Sequence, residues 1–112
     1  MLVHQKGVKL MVNRIYTLTE LQNIILPIAS AHGVNRVYIF GSYARNQAKA
    51  TSDVDLLIDS GEVKSLFQMS AFRLALEDAL GKSVDILTTK VDDPHFLTLI
   101  AKEQVLLYDR AA

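Results

Sequence analysis

Two short stretches of this sequence carry residue types suited to phosphate and metal chemistry: Gly41-Ser42 and, ten residues on, Ser52-Asp53-Val54-Asp55. Gly41-Ser42 closes an apolar run and leads into a turn. Backbone N–H groups at such a turn can point at an anion, and the missing side chain of Gly41 lets a phosphate come close. Asp53 and Asp55 alternate on a strand, so both carboxylates take one face, roughly 6–7 Å apart along the chain. Flexible carboxylates at that separation can converge on a pair of hard divalent cations while a triphosphate supplies further oxygens. Taken singly, neither feature points far: Gly-Ser is frequent in loops, and Asp-x-Asp often marks a solvated strand face. Together they say more. Carboxylates facing one way repel each other and Asp is a poor strand former, so two of them on so apolar a strand cost stability unless a cation compensates.

The elements that must position these residues follow from periodicity and caps. Thr17 to Glu20 has the form of a capping box, followed by Leu21, Ile24, Ile25 and Ile28 at helical spacing, with Gly33 as the stop. Pro27 inside that run is expected to kink or split the helix. Val37 to Phe40 reads as a strand entering the Gly41-Ser42 turn, and Tyr43 to about Ala48 as one or two helical turns. Ser52 to Asp59 reads as a second strand, with Asp53, Asp55, Leu57 and Asp59 on one face and Val54, Leu56 and Ile58 on the other. A helix is expected from about Ser65 to Leu80, buried along Leu66, Met69, Phe72, Leu76 and Leu80 and ended by Gly81. Ser83 to Leu87 forms a third strand, Asp93-Pro94 opens a last helix through about Lys102, and Val105 to Tyr108 adds a short edge strand. Tyr38, Phe67, Phe72 and Phe96 are expected in the core. This order describes an α/β domain with helices packed on a small sheet.

The 112 residues fit one compact domain, here placed at residues 17–112 behind an N-terminal extension over residues 1–16. Lys and Arg number 12, as do Asp and Glu, so the formal charge is zero. That balance argues against a broad grip on a nucleic-acid backbone but leaves room for a local nucleotide site. The sequence contains no cysteine, which excludes disulfides, thiolate metal sites and thiol nucleophiles. Its apolar runs fall short of the ~18 residues a membrane span needs, and residues 1–14 lack the pattern of a cleaved leader, so a cytoplasmic location is expected. His4, His32 and His95 show neither ligand spacing nor a carboxylate partner pattern.

Gly41-Ser42-Tyr43-Ala44-Arg45 followed by Ser52-Asp53-Val54-Asp55-Leu56-Leu57-Ile58 resembles the signature of the DNA polymerase β-type nucleotidyltransferase superfamily. The match is best to its minimal bacterial and archaeal branch and extends from about Leu18 to Tyr108. The resemblance implies a small mixed sheet flanked by helices and a third carboxylate on a neighbouring strand. Asp85 matches that position, a single charge between the buried-type residues Val84 and Ile86. It further implies two Mg²⁺ ions held by Asp53 and Asp55, with Asp85 completing one shell and helping to activate the acceptor hydroxyl. ATP is then the substrate, its β- and γ-phosphates held by Ser42 and the backbone beyond Gly41, with Arg45 as a candidate phosphate contact. Where the family usually has Gly, this chain has Asn46, a residue that tolerates a left-handed backbone. Asp59 shares the face of the Asp pair but sits near the strand's end, where a solvated or capping role is expected.

Nothing in the chain resembles the extra domain with which larger relatives hold a second substrate, which disfavours a small acceptor such as an aminoglycoside. Minimal members of the family are commonly antitoxins of a helical HEPN-domain RNase, and the resemblance implies adenylylation of a tyrosine on that toxin. A different reading is a non-catalytic module that neutralises the same partner by covering it. The three-Asp set favours catalysis, because a pure binding domain has no use for charges that repel each other.

Overall fold

A computed structural model describes residues 13–88 and 104–111, together with Pro94, Thr98 and Lys102. Helix α1 spans Leu18–His32, opened by the Thr17–Glu20 capping box and closed by Gly33 in the left-handed region at φ 75°. Pro27 does not split it. The residue lies on the exposed side of α1, where water can serve the carbonyl that loses its partner. The chain then runs through strand β1 (Arg36–Phe40) and a single helical turn, α2 (Gly41–Ala44). Strand β2 (Val54–Asp59), helix α3 (Leu66–Leu80), strand β3 (Val84–Thr88) and strand β4 (Val105–Asp109) follow. Of the last helix expected before β4, Pro94, Thr98 and Lys102 are helical. The rest of it, like His95, Phe96 and most of the N-terminal extension, lies outside the described residues.

The four strands form one mixed sheet in the order β3-β2-β1-β4. β1 is antiparallel to both its neighbours, and β2 is parallel to β3. Alternation puts Val37 and Ile39 on β1 and Val54, Leu56 and Ile58 on β2 in one fully enclosed face, and Leu57, on the opposite face of β2, is buried as well. Leu21, Ile25 and Ala29 of α1 and Phe72, Leu76 and Leu80 of α3 belong to the same core. Each large aliphatic or aromatic side chain so buried contributes about 1.5–3 kcal/mol. Among the described residues, no helix is long and apolar enough to cross a membrane.

Three core expectations fail. Tyr38 of β1 is only half-buried, on the face opposite Val37 and Ile39. Leu66 and Phe67 of α3 are 87% and 86% exposed. At 3.6 residues per turn Phe67 lies roughly 140° from both Phe72 and Leu80, off the Phe72-Leu76-Leu80 stripe. Leu66 is only about 40° from Leu80, and is exposed as the first residue of the helix, where it lines a cavity. The N-terminus of α3 is fixed instead by a capping box between Ser65 and Gln68. Strand β2 also starts later than its pattern suggests. Ser52 closes a local turn on Lys49, its Oγ accepting from the Lys49 N–H at 2.8 Å, so Asp53 precedes the strand. Asp59, expected to be solvated or capping, faces Arg36 in an ion pair at 3.6 Å, and Asp109 flanks the same guanidinium at 3.4 Å.

Candidate active site

Antiparallel pairing of β1 with β2 sets Phe40 opposite Asp55, so the chain leaves β1 at Gly41 directly beside that carboxylate. Parallel pairing of β2 with β3 sets Asp55 beside Asp85. One end of the sheet therefore gathers Gly41, Ser42, Asp55 and Asp85, with Asp53 on the approach to β2. The turn is pinned from below by Tyr43, which is buried and whose hydroxyl accepts from the Tyr16 N–H at 3.5 Å. Tyr16 in turn hydrogen-bonds the Leu80 carbonyl at the end of α3.

Gly41 is required here on two grounds. Its φ of +70° is a conformation that side chains rarely adopt, and a Cβ at that position would stand 2.2 Å from Asp55 Oδ2. The glycine thus makes room for the Asp55 carboxylate. Asn46 occupies the left-handed region at φ 57°, as its place in the motif led one to expect. Ser42 is half-buried, and its carbonyl accepts from the Gln47 N–H at 2.8 Å to close the turn. Arg45 is exposed and donates from Nε to Gln47 Oε1 at 3.2 Å.

Burial pushes the Asp55 carboxyl above its ordinary value. The like charges of Asp85 and Asp53 and a hydrogen bond with Asp85 push the same way, and Arg45 opposes them. Asp55 and Asp85 line one cavity of about 610 Å³ with Phe40, Met69, Arg73 and Leu87. Asp53 opens instead on a second cavity of about 210 Å³, beside Ser52, Lys82 and Ser83. The structure thus brings Asp55 and Asp85 together, whereas Asp53 acts on Asp55 through its charge from outside the strand. Among the described residues, no group of three Asp, Glu, His or Cys side chains is arranged to hold a metal ion. The donor chemistry nonetheless suits a hard divalent cation. Two neighbouring carboxylates whose repulsion a cation relieves make a partial oxygen shell, of the kind that substrate phosphates complete.

A profile of the family described as polymerase beta, nucleotidyltransferase, matches residues 22–112. The chain belongs to the polymerase beta nucleotidyltransferase family. The nucleotidyltransferase is 46% identical over 88 residues to a Methanocaldococcus jannaschii protein named as a candidate protein adenylyltransferase, covering 79% of this chain and 95% of that one. It is 38% identical over 74 residues to the protein adenylyltransferase MntA of Thermococcus cleftensis, covering 62% of this chain and 75% of MntA. A solved candidate minimal nucleotidyltransferase, 35% identical, superposes with a TM-score of 0.67 over 80% of this chain and 91% of its own. A tri-AMPylated Shewanella oneidensis HEPN toxin in complex with MNT antitoxin matches with a TM-score of 0.62 at 16% identity, over 84% of this chain and 74% of that one. At that identity it is the fold that is shared.

Sequence reasoning missed Lys82, the buried charge beside Asp53, and Arg73, which lines the larger cavity from α3. Lys82 follows a helix-ending glycine, where a lysine is ordinarily solvated, and Arg73 reads as one polar residue on an amphipathic helix. No spacing in the sequence marks either.

Proposed function

We propose that this nucleotidyltransferase moves AMP from ATP to a tyrosine hydroxyl of a HEPN-type partner in the cytoplasm and so acts as its antitoxin. The observation that carries the chemistry is the pairing of Asp55 with Asp85 beside Gly41, at the one end of the sheet where β1 leaves and β2 and β3 begin. The protein acceptor is supported by the names of the relatives that share a third to nearly half of their residues with this chain.

In this reading, Ser42 and the first N–H groups of α2, which lack partners within the helix, hold the β- and γ-phosphates. Arg45 adds a cation at the edge of the same turn. Asp53, Asp55 and Asp85 would hold two Mg²⁺ ions, which when bound supply neutralisation of charge on the attacking and departing oxygens. Asp85, the exposed carboxylate of the pair, receives the proton of the acceptor hydroxyl. The tyrosine oxygen forms a bond to the α-phosphorus, the bond from that phosphorus to the β-phosphate bridging oxygen breaks, and pyrophosphate leaves. The apolar wall of the larger cavity, Met69 and Leu87 beside Phe40, suits the ring of such an acceptor.

The test is to mix the partner with wild-type protein or with Asp55→Asn, then measure both toxin neutralisation and intact mass. The wild type should add one or more AMP units and silence the toxin, and Asp55→Asn should do neither. Neutralisation by Asp55→Asn with no mass gain would replace this reading with neutralisation by binding alone.

A further inference from the structure

We propose that Lys82 is a positioning residue for the metal site, acting through Asp53. Asp53 precedes β2, so no strand pairing fixes it. Lys82 supplies what the sheet does not. It is 3% exposed, a buried charge in the largely polar wall of the smaller cavity. Its Nζ donates to the Ala50 carbonyl at 2.6 Å, three residues before Asp53, and both side chains line the smaller cavity. Burying an ammonium costs several kcal/mol unless a partner compensates. Here the compensation comes from that carbonyl and from the Asp53 charge, which favours the protonated amine against the effect of burial.

The backbone around Lys82 makes it a rigid anchor. Gly81 ends α3 in the left-handed region at φ 65°. The neighbouring Ser83 carbonyl accepts from the Val54 N–H at 3.0 Å, and Glu77 Oε2 accepts from the Val84 N–H at 2.9 Å. The segment 81–84 therefore sets the starts of both β2 and β3, the strands that carry Asp55 and Asp85. Lys82 extends the same clamp to the residues before β2, so that Asp53 holds a fixed place relative to the other two carboxylates. Such outer partners of metal ligands orient them without touching the metal.

The inference rests on the assignment of Asp53 as a metal ligand, and the experiment separates the two. Mn²⁺ binding is measured by electron paramagnetic resonance, with and without a non-hydrolysable ATP analogue, for wild type, Lys82→Met, Lys82→Arg, Asp53→Asn and the Asp53→Asn/Lys82→Met double variant. Melting curves confirm the fold of each. Lys82→Met should weaken Mn²⁺ binding about tenfold or more, with Lys82→Arg recovering much of it. In the Asp53→Asn background, Lys82→Met should add no further loss. Wild-type Mn²⁺ affinity in a folded Lys82→Met protein, or losses that simply add in the double variant, would overturn the proposal. Unchanged binding in Asp53→Asn alone would instead overturn the assignment of Asp53. If Lys82→Met does not fold, Lys82→Gln carries the same test, and failure of both to fold assigns Lys82 to stability alone. No acceptor protein is needed, so the result is independent of the partner's identity.

Discussion

Replacing Gly41 by Ala probes the centre of the site with a single methyl group. The backbone there holds φ +70°, and a side chain in the left-handed region costs about 1–2 kcal/mol. The added Cβ would also meet Asp55 at 2.2 Å from Oδ2, 3.1 Å from Cγ and 3.3 Å from Cβ, well inside ordinary contact. Relief requires the carboxylate to move off its position beside Asp85, and overpacking of this kind costs about 1–3 kcal/mol. The lower entropy of the unfolded alanine chain returns about 0.4–1 kcal/mol. The net loss is therefore about 1–4.5 kcal/mol, a fall in melting temperature of roughly 4–18 °C for a domain of this size. A double-mutant cycle by chemical denaturation isolates the contact. In an Asp55→Ala background, Gly41→Ala should cost only the backbone part, leaving a coupling of about 1–3 kcal/mol. An equal cost in both backgrounds would refute the claim that Gly41 is there to admit Asp55.

Asp55→Asn should stabilise the metal-free protein at neutral pH while abolishing transfer. The Asp55 carboxyl is raised above its ordinary value, so its favourable contribution is complete at acid pH and is lost as pH rises through the raised value. Melting curves in a chelator should show the variant's advantage at pH 7 and its disappearance near pH 3. On α3, Phe72→Ala should cost about 3–5 kcal/mol and Phe67→Ala within about 0.5 kcal/mol, since Phe72 is fully buried and Phe67 is 86% exposed. Denaturant midpoints check both. Thr17→Ala removes the side chain that accepts from the Glu20 N–H at 3.0 Å and should cost about 0.5–2 kcal/mol without changing nucleotide binding.

Much of this site could be read from local chemistry. Thr17, Gly33 and Gly81 announced their helix ends, and the alternation of Val54, Leu56 and Ile58 gave the buried side of β2. Asp85 came from the family resemblance, which implies a third carboxylate on a neighbouring strand, and its apolar flanks Val84 and Ile86 only supported the match. What escaped depends on the third dimension. The parallel register that places Asp55 against Asp85 leaves no trace in residue spacing. Lys82 became significant only because α3 delivers it beneath the residues before β2. Asp53 looked like a strand partner of Asp55 until Ser52 turned back on Lys49 and left it outside the sheet. Leu66 and Phe67 look like core by composition; helix phase puts Phe67 in solvent, and its place at the very start of α3 leaves Leu66 uncovered.

The most direct measurement is transfer itself. Purified protein is incubated with Mg²⁺ and α-labelled ATP in desalted extract of its host, beside an Asp53→Asn/Asp55→Asn control. A labelled protein band with the wild type alone, carrying AMP on a tyrosine by mass spectrometry, is the expected result. Equal labelling by the double variant, or no label from the wild type while the partner is still neutralised, would contradict catalysis at these carboxylates.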